Sequence, residues 1–233
     1  MAEIDDALFG RMALTSAELA ATAPLAGPLM PGRHRLGLSG ERDAVLFVPG
    51  GLPADAPLPL LVFFHGAGGF PEKVLPFIEQ HAERHQFLVL APHSTFITWD
   101  IVIGGHGPDL ERLQTALRLV ASHYRIDLAQ LALAGFSDGA SYALSVGVTN
   151  GDVASHVIAF SGGFMNVFSQ HGAPAIFIAH GLIDEQLPID SSARANARSL
   201  QAAGYDVRYV EFNGLHLIAA PIVTMAVAFF LGR

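Results

Sequence analysis

The chain has 233 residues, and 13 Lys and Arg against 21 Asp and Glu give it a formal net charge of −8. Because nucleic acids and anionic membrane surfaces are bound through clustered Lys and Arg, these few and scattered basic residues argue against both as partners. Hydrophobic residues make up 51% of the chain, which excludes disorder for most of it, and Cys is absent, which excludes disulfides, thiolate metal sites and a cysteine nucleophile.

Residues 1–32 differ from the rest, and we interpret them as an N-terminal helical arm beside a single α/β domain at 33–233. An Ala- and Leu-rich stretch at 7–23 has helical spacing, and a Pro- and Gly-rich segment follows that no helix could continue through. The first residues are acidic where an export signal would be basic, so a cytoplasmic location is the default expectation. The apolar face of the arm has three open roles: packing on the body, covering the site entrance, or contacting a second subunit in a homodimer.

Beyond the arm, short apolar runs alternate with helical patterns. This alternation is typical of a mostly parallel sheet with helices on both faces. The last helical stretch is too short to cross a bilayer and contains Pro221, so no membrane insertion is expected. The predicted strands are 45–48, 58–65, 87–91, 131–134, 157–160, 175–179 and 207–212, and the predicted helices are 72–85, 109–124, 140–149, 191–203 and 218–231.

The loop after the strand at 58–65 is rich in glycine, since residues 65–69 read His-Gly-Ala-Gly-Gly. Such a loop can present backbone N–H groups to an anion. Phosphate is the alternative ligand, but neither the Lys-Ser/Thr pair of a P-loop nor the G-x-G-x-x-G spacing is present. The loop therefore indicates a site for a developing negative charge at the carboxyl end of this strand.

Two histidines lie on the helix predicted after this loop. His81 and His85 are four residues apart, a spacing that can bind a metal ion. No third ligand is evident, so we interpret them as part of a solvated helix face and predict no metal site.

Large apolar side chains follow the ends of several predicted strands. Ligand pockets are lined mainly by such side chains, so they are candidates for an acyl or aryl pocket, with ordinary packing as the alternative for each. The candidates are Phe70, Phe96, Trp99, Leu187 and Leu215, with Phe164 and Phe168 beside them.

The strand at 131–134 leads into Gly-Phe-Ser-Asp-Gly at 135–139 and then into a helix. This is the G-x-S-x-G pattern in a strand–turn–helix context, where a sharp turn exposes the hydroxyl of Ser137 and leaves no room for side chains two positions away. The pentapeptide alone is a weak signal, because a Gly-rich turn with an ordinary Ser would match it too.

Two further polar residues follow strand ends: Asp184 after the strand at 175–179, and His216 after the strand at 207–212. A Ser hydroxyl needs a base to take its proton, and a carboxylate on the other ring nitrogen fixes the tautomer of that base. Asp184 as a helix cap and His216 as a structural histidine are the alternatives. The order Ser, Asp, His at three strand ends favours a nucleophilic triad.

These motifs together resemble the α/β-hydrolase superfamily. The likeness is greatest to the compact phospholipase/carboxylesterase branch and to feruloyl-esterase or polyhydroxyalkanoate-depolymerase-like branches. It extends over residues 45–231 and implies the α/β-hydrolase fold. The motifs that carry it are FFHGAGG at 63–69, RIDLAQLALAGFSDGA at 125–140, HGLIDEQLP at 180–188 and NGLH at 213–216.

The resemblance implies a serine hydrolase that cleaves short-chain or aryl carboxylic esters through an acyl-enzyme and needs no cofactor. Ser137 would be the nucleophile, His216 the general base and acid, and Asp184 the orienting carboxylate. The short interval between Ser137 and Asp184 leaves no room for a large lid domain, which favours an open site and a small-molecule ester. A thioesterase, a lysophospholipase or a peptidase would use the same triad, and an inactive hydrolase-fold binding protein is the alternative from another class.

The resemblance also implies an oxyanion hole built from the N–H groups of Asp138 and Ala67, with Gly68 as a substitute for Ala67. A carboxylate at position 138 departs from the neutral residue often found there in these branches, and it would oppose a developing negative charge if it pointed inward. We therefore expect the Asp138 side chain to cap the following helix and only its backbone to serve the site.

Overall fold

The computed structural model describes residues 9–53, 56–105 and 107–233. Eight strands form one sheet in the order β1-β2-β4-β3-β5-β6-β7-β8. β1 and β4 pair antiparallel with β2, and every other pairing is parallel, which confirms the expected sheet. The strands are β1 (Gly32–Arg35), β2 (Val45–Val48), β3 (Leu58–Phe64), β4 (Leu88–Ala91), β5 (Ile126–Phe136), β6 (His156–Phe160), β7 (Ala175–Gly181) and β8 (Val207–Phe212).

Helices cover both faces of the sheet because the central strands are apolar on both sides. Along β3, Leu60 and Val62 belong to the buried apolar cluster that includes residues of α3, α4 and α5, whereas Leu61 and Phe63 belong to the cluster that includes residues of α2 and α6. Within the described residues, no helix combines the length and the apolarity needed to cross a membrane. The helices are α1 (Ser16–Ala21), α2 (Pro71–His85), α3 (Pro108–His123), α4 (Asp138–Thr149), α5 (Ala193–Ala202) and α6 (Ala220–Phe230).

The predicted elements from residue 45 onward are confirmed, with shifts at their ends. β5 is the largest exception: it begins at Ile126 and ends at Phe136, well beyond the predicted 131–134. β1 was missed, since its sequence Gly-Arg-His-Arg has no buried apolar residue and lies at the edge of the sheet.

The predicted helix at 7–23 is wrong over its described part, because only Ser16–Ala21 is helical; residues 7 and 8 lie outside the described residues. A capping box between Thr15 and Glu18 starts the helix late. Before it, the N–H of Leu14 donates to Gln114 Oε1 at 2.8 Å, which keeps the backbone extended.

The described part of the arm packs on the body of the protein. Leu14 is fully buried in the core, and Arg11 forms an ion pair of 2.6 Å with Asp152 just beyond the end of α4. The N–H of Met12 donates to Asn150 Oδ1 at 2.8 Å. The division of the chain at residue 32 stays a prediction.

Candidate active site

Ser137 is the single residue between β5 and α4, and its backbone is strained, with φ of 55° and ψ of −122°. The hydrogen bond from its N–H to Phe160 O, 3.0 Å long, ties the turn to β6. A Cβ on Gly135 would overlap the backbone of Gly139, and one on Gly139 would overlap the carbonyl oxygen of Phe64. The steric reason for the two glycines in the motif is therefore confirmed, and the turn raises the Ser137 hydroxyl above the carboxyl edge of the sheet.

The structure brings the hydroxyl of Ser137 into a chain of hydrogen bonds with His216 and Asp184. His216 Nε2 lies 2.9 Å from Ser137 Oγ, and His216 Nδ1 lies 2.7 Å from Asp184 Oδ2. The carboxylate accepts the Nδ1 proton, so Nε2 is left with a lone pair directed at the hydroxyl. The residues come from the ends of β5, β7 and β8, as expected from a parallel sheet.

The carboxylate of Asp184 is buried but well supplied with hydrogen bonds. Burial by itself would raise the pKa of Asp184, but hydrogen bonds from the Leu187 N–H, from His216 and from the Gln186 N–H outweigh it and hold the pKa below its ordinary value. Asp184 therefore stays ionised at neutral pH. The ring of His216 packs on the ring of Phe136, with 4.9 Å between centroids.

Two backbone N–H groups near the turn are unoccupied. In the part of the chain that the structure describes, no acceptor lies within hydrogen-bond distance of the N–H of Ala67 or of Asp138. The prediction of Gly68 as a substitute donor is wrong, since its N–H already donates to Ile97 O at 2.7 Å. Ala67 and Asp138 thus offer the two donors that remain.

His65 anchors the Gly-rich loop, and sequence reasoning did not assign it a role. Its Nδ1 lies 2.7 Å from Gly66 O, and its Nε2 lies 3.1 Å from the N–H of Ser94. Burial lowers the pKa of His65 to about 4, so the ring is neutral and donates to the carbonyl through Nδ1. Its place directly after β3 and before Gly66 was the signal available in the sequence.

Trp99 was predicted to line a substrate pocket, and this prediction is wrong. The side chain is 1% exposed, packs edge-on against Phe64 and stacks on Tyr142, with 4.9 Å between the Trp99 and Tyr142 centroids. Its indole Nε1–H donates to the carbonyl oxygen of His65 at 2.7 Å. A buried indole N–H needs an acceptor, and here the acceptor is the carbonyl oxygen at the start of the Gly-rich loop. Trp99 therefore fixes the position of that loop.

The expectation that Asp138 caps α4 is also wrong. Ser137 occupies the N-cap position, and no side chain caps the helix. Asp138 is the first helical residue, and its Oδ2 accepts a hydrogen bond of 2.7 Å from Thr98 Oγ1. The carboxylate therefore joins α4 to the segment after β4.

A cavity of about 520 Å³ opens beside His216, between α2 and the residues that follow β8. None of the predicted pocket residues lines it. Phe70, Phe96 and Leu215 are instead apolar side chains on the surface, and their pocket role stays a prediction, as does that of the half-buried Leu187. The side chains that line the cavity are those of Lys73, Val74, Phe77, Phe136, Leu217 and Ile218. Sequence reasoning missed these residues because most of them lie on one face of α2 or directly follow His216.

A metal site has no structural support among residues 9–53, 56–105 and 107–233, where no group of three or more His, Asp or Glu could hold an ion. The rings of His81 and His85 stack on the face of α2, with 6.5 Å between centroids. Burial lowers the pKa of both histidines, and the positive charge of Arg84 adds to this effect.

The sheet topology and the strained serine turn define the α/β-hydrolase fold, and the resemblance seen in the sequence is confirmed at the level of the fold. No protein-family model matches the chain. No curated protein matches it either. Its similarity to known proteins therefore comes from solved structures.

Three examples are esterases by name. The chain is 20% identical to a phospholipase/carboxylesterase from Dyadobacter fermentans, with a TM-score of 0.62, over 87% of this chain and 99% of that one. It is 16% identical to a ferulic acid esterase from Anaeromyces mucronatus, with a TM-score of 0.65, over 88% and 91%. It is 21% identical to esterase PE8, with a TM-score of 0.64, over 80% and 96%. Identities this low show a shared fold.

Proposed function

We propose that the protein is a serine hydrolase that cleaves carboxylic esters. The observation that carries this proposal is the unbroken series of hydrogen bonds from Asp184 through His216 to Ser137, on a strained turn. An ordinary serine in a Gly-rich turn has no need of a histidine whose other nitrogen is held by a buried carboxylate. The esterase names of the structural neighbours support the same class of reaction.

The mechanism follows from the geometry. Ser137 Oγ attacks the ester carbonyl carbon while its proton passes to His216 Nε2, and Asp184 stabilises the imidazolium that forms. The N–H groups of Ala67 and Asp138 donate hydrogen bonds to the negatively charged oxygen of the tetrahedral intermediate. His216 then gives the proton to the leaving alcohol, which departs and leaves an acyl-enzyme. Water gives a proton to His216 and attacks the acyl carbon; the bond to Ser137 Oγ then breaks, the carboxylic acid leaves, and His216 returns the proton to Oγ.

The cavity beside His216 suits the apolar part of a small ester. Its volume of about 520 Å³ lies within the range that holds small ligands, and its lining is mainly apolar. An acyl or aryl group bound there would lie next to the catalytic histidine. We propose short-chain or aryl esters as the substrate class, with hydrolysis of a thioester, a lysophospholipid or a peptide as outcomes of the test.

The test is hydrolysis of p-nitrophenyl esters from acetate to long acyl chains, together with labelling by a fluorophosphonate. We expect the highest kcat/KM at short chains and one covalent adduct per chain, on the peptide that contains Ser137. Hydrolysis of thioesters or amides in place of esters would reassign the substrate class. The absence of both turnover and adduct would contradict the proposal and support an inactive binding protein.

The cavity assignment makes its own prediction about chain length. Phe77→Ala enlarges the cavity, so we expect kcat/KM for butyrate and longer esters to rise by about threefold to tenfold, with acetate changed less than about twofold. Phe96→Ala is the matched control, because Phe96 is a comparably exposed phenylalanine outside the cavity. A change in chain-length preference in the Phe96 variant alone would place the acyl group near Phe96 and outside this cavity.

A further inference from the structure

We propose that His180 is a positioning residue that holds the carboxylate of Asp184 in the orientation His216 requires. This inference rests on the proposed function, because it assigns a task within the triad. His180 is the last residue but one of β7. Its backbone is fixed because β7 is hydrogen-bonded to β6 on one side and to β8 on the other.

Asp184 Oδ2 lies between two histidines. His216 Nδ1 is 2.7 Å away, and His180 Nε2 is 3.2 Å away. The side chains of both His180 and Asp184 are fully buried, so water does not compete for these contacts. The second histidine thus contacts the same oxygen through which the carboxylate orients the first.

The tautomer of His180 is fixed by its other contact. Nε2 also lies 2.8 Å from the carbonyl oxygen of Leu187, which can only accept a hydrogen bond. Nε2 therefore carries the proton and donates it to Leu187 O, while Asp184 Oδ2 lies 3.2 Å from the same nitrogen. Among the described residues, Nδ1 has no hydrogen-bond partner, so the ring acts on the site through Nε2 alone.

Leu187 connects His180 to the carboxylate a second time. The N–H of Leu187 donates to Asp184 Oδ1 at 2.9 Å, while the carbonyl of the same residue accepts from His180. The turn holds the carboxylate by hydrogen bonds to Oδ1, and the polarised N–H of His180 lies 3.2 Å from Oδ2, so rotation away from His216 would lose favourable interactions on both sides.

The other charges near His180 are already paired. Glu211 is its register partner on β8, and it accepts hydrogen bonds from Arg194 of α5 at 2.7 and 2.8 Å. A change of the His180 ring would therefore reach Ser137 through Asp184, directly and by way of Leu187.

Two amide substitutions separate positioning from mere packing. His180→Gln places an amide donor near the position of Nε2, whereas His180→Asn places it near Nδ1, where it cannot reach Asp184. We expect the Gln variant to keep kcat and the pH profile of kcat/KM within about twofold, and the Asn variant to lower kcat by about tenfold with little change in KM.

The pH profile of kcat/KM distinguishes positioning of the carboxylate from packing, because a packing defect alone does not shift the acidic limb. Without the Nε2–H dipole of His180 beside it, the negative charge of the Asp184 carboxylate is less stabilised and favours the His216 imidazolium more strongly, so the acidic limb of kcat/KM moves to higher pH by about half a unit in the Asn variant. The Gln variant is expected to keep the wild-type limb. Thermal unfolding of both variants measures the fraction of folded protein, so that activity can be compared per folded molecule.

The inference is overturned if both amide variants have the same kcat and the same acidic limb, or if activity falls only in proportion to unfolding. Ser137→Ala, measured in the same assay, keeps this result separate from the proposed function. If wild type hydrolyses the ester and Ser137→Ala does not, the proposed function stands whatever the His180 variants do. If Ser137→Ala is as active as wild type, the proposed function itself fails.

Discussion

Replacing Ser137 by Ala is expected to lower kcat for p-nitrophenyl acetate by about 10⁵-fold, because the nucleophile of the acyl-enzyme is lost while the fold is kept. The small side chain fits the turn, and the N–H of residue 137 still donates to Phe160 O. The residual rate would come from the N–H donors and from substrate binding alone. Initial rates at saturating ester, with circular dichroism to verify folding, measure the effect.

Ser199→Ala is the matched control for this experiment. Ser199 is an exposed serine on α5 with no part in the proposed triad, so its loss should leave kcat unchanged. If Ser137→Ala kept more than about a tenth of the wild-type rate, the acyl-enzyme mechanism through Ser137 would be refuted.

Replacing Gly135 by Ala is expected to destabilise the fold by more than about 4 kcal/mol, since the new Cβ would overlap the backbone at Gly139. No flexible side chain can yield there, so β5 and α4 would have to separate at the turn that carries Ser137. Urea unfolding followed by tryptophan fluorescence measures the loss, with Trp99 as the buried reporter.

Gly105→Ala is the control for this substitution. A Cβ at Gly105 meets no atom within 4 Å, so its free energy of unfolding should stay within about 0.5 kcal/mol of wild type. An unfolding midpoint for Gly135→Ala equal to that of wild type would show that the turn is looser than its backbone contacts indicate.

The positions of the proposed triad followed from the sequence because they depend on a general rule. Parallel strands bring their carboxyl ends to one edge, so residues just after three strands meet whatever the helices between them contain. The strained serine and its flanking glycines also form a short sequence pattern, which can be recognised without knowing which distant residues it contacts.

The features that sequence reasoning missed depend on packing between distant segments. A tryptophan after a strand end is equally compatible with a pocket and with the core, and only the carbonyl of His65 above its indole N–H decides between them. Gly68 was a reasonable donor until Ile97 was found to occupy its N–H. The predicted helix over the first part of the arm failed for the same reason, since the side chains of Asn150 and Gln114 accept the N–H groups of Met12 and Leu14.

The segment between β4 and α3 shapes the proposed oxyanion hole without contributing a donor to it. Its Ser94 binds His65, Ile97 binds the N–H of Gly68, and Thr98 binds Asp138. The same segment therefore holds both the Gly-rich loop with the N–H of Ala67 and the start of α4 with the N–H of Asp138. The conformational entropy of arranging the two donors is therefore lost during folding and not when an ester arrives.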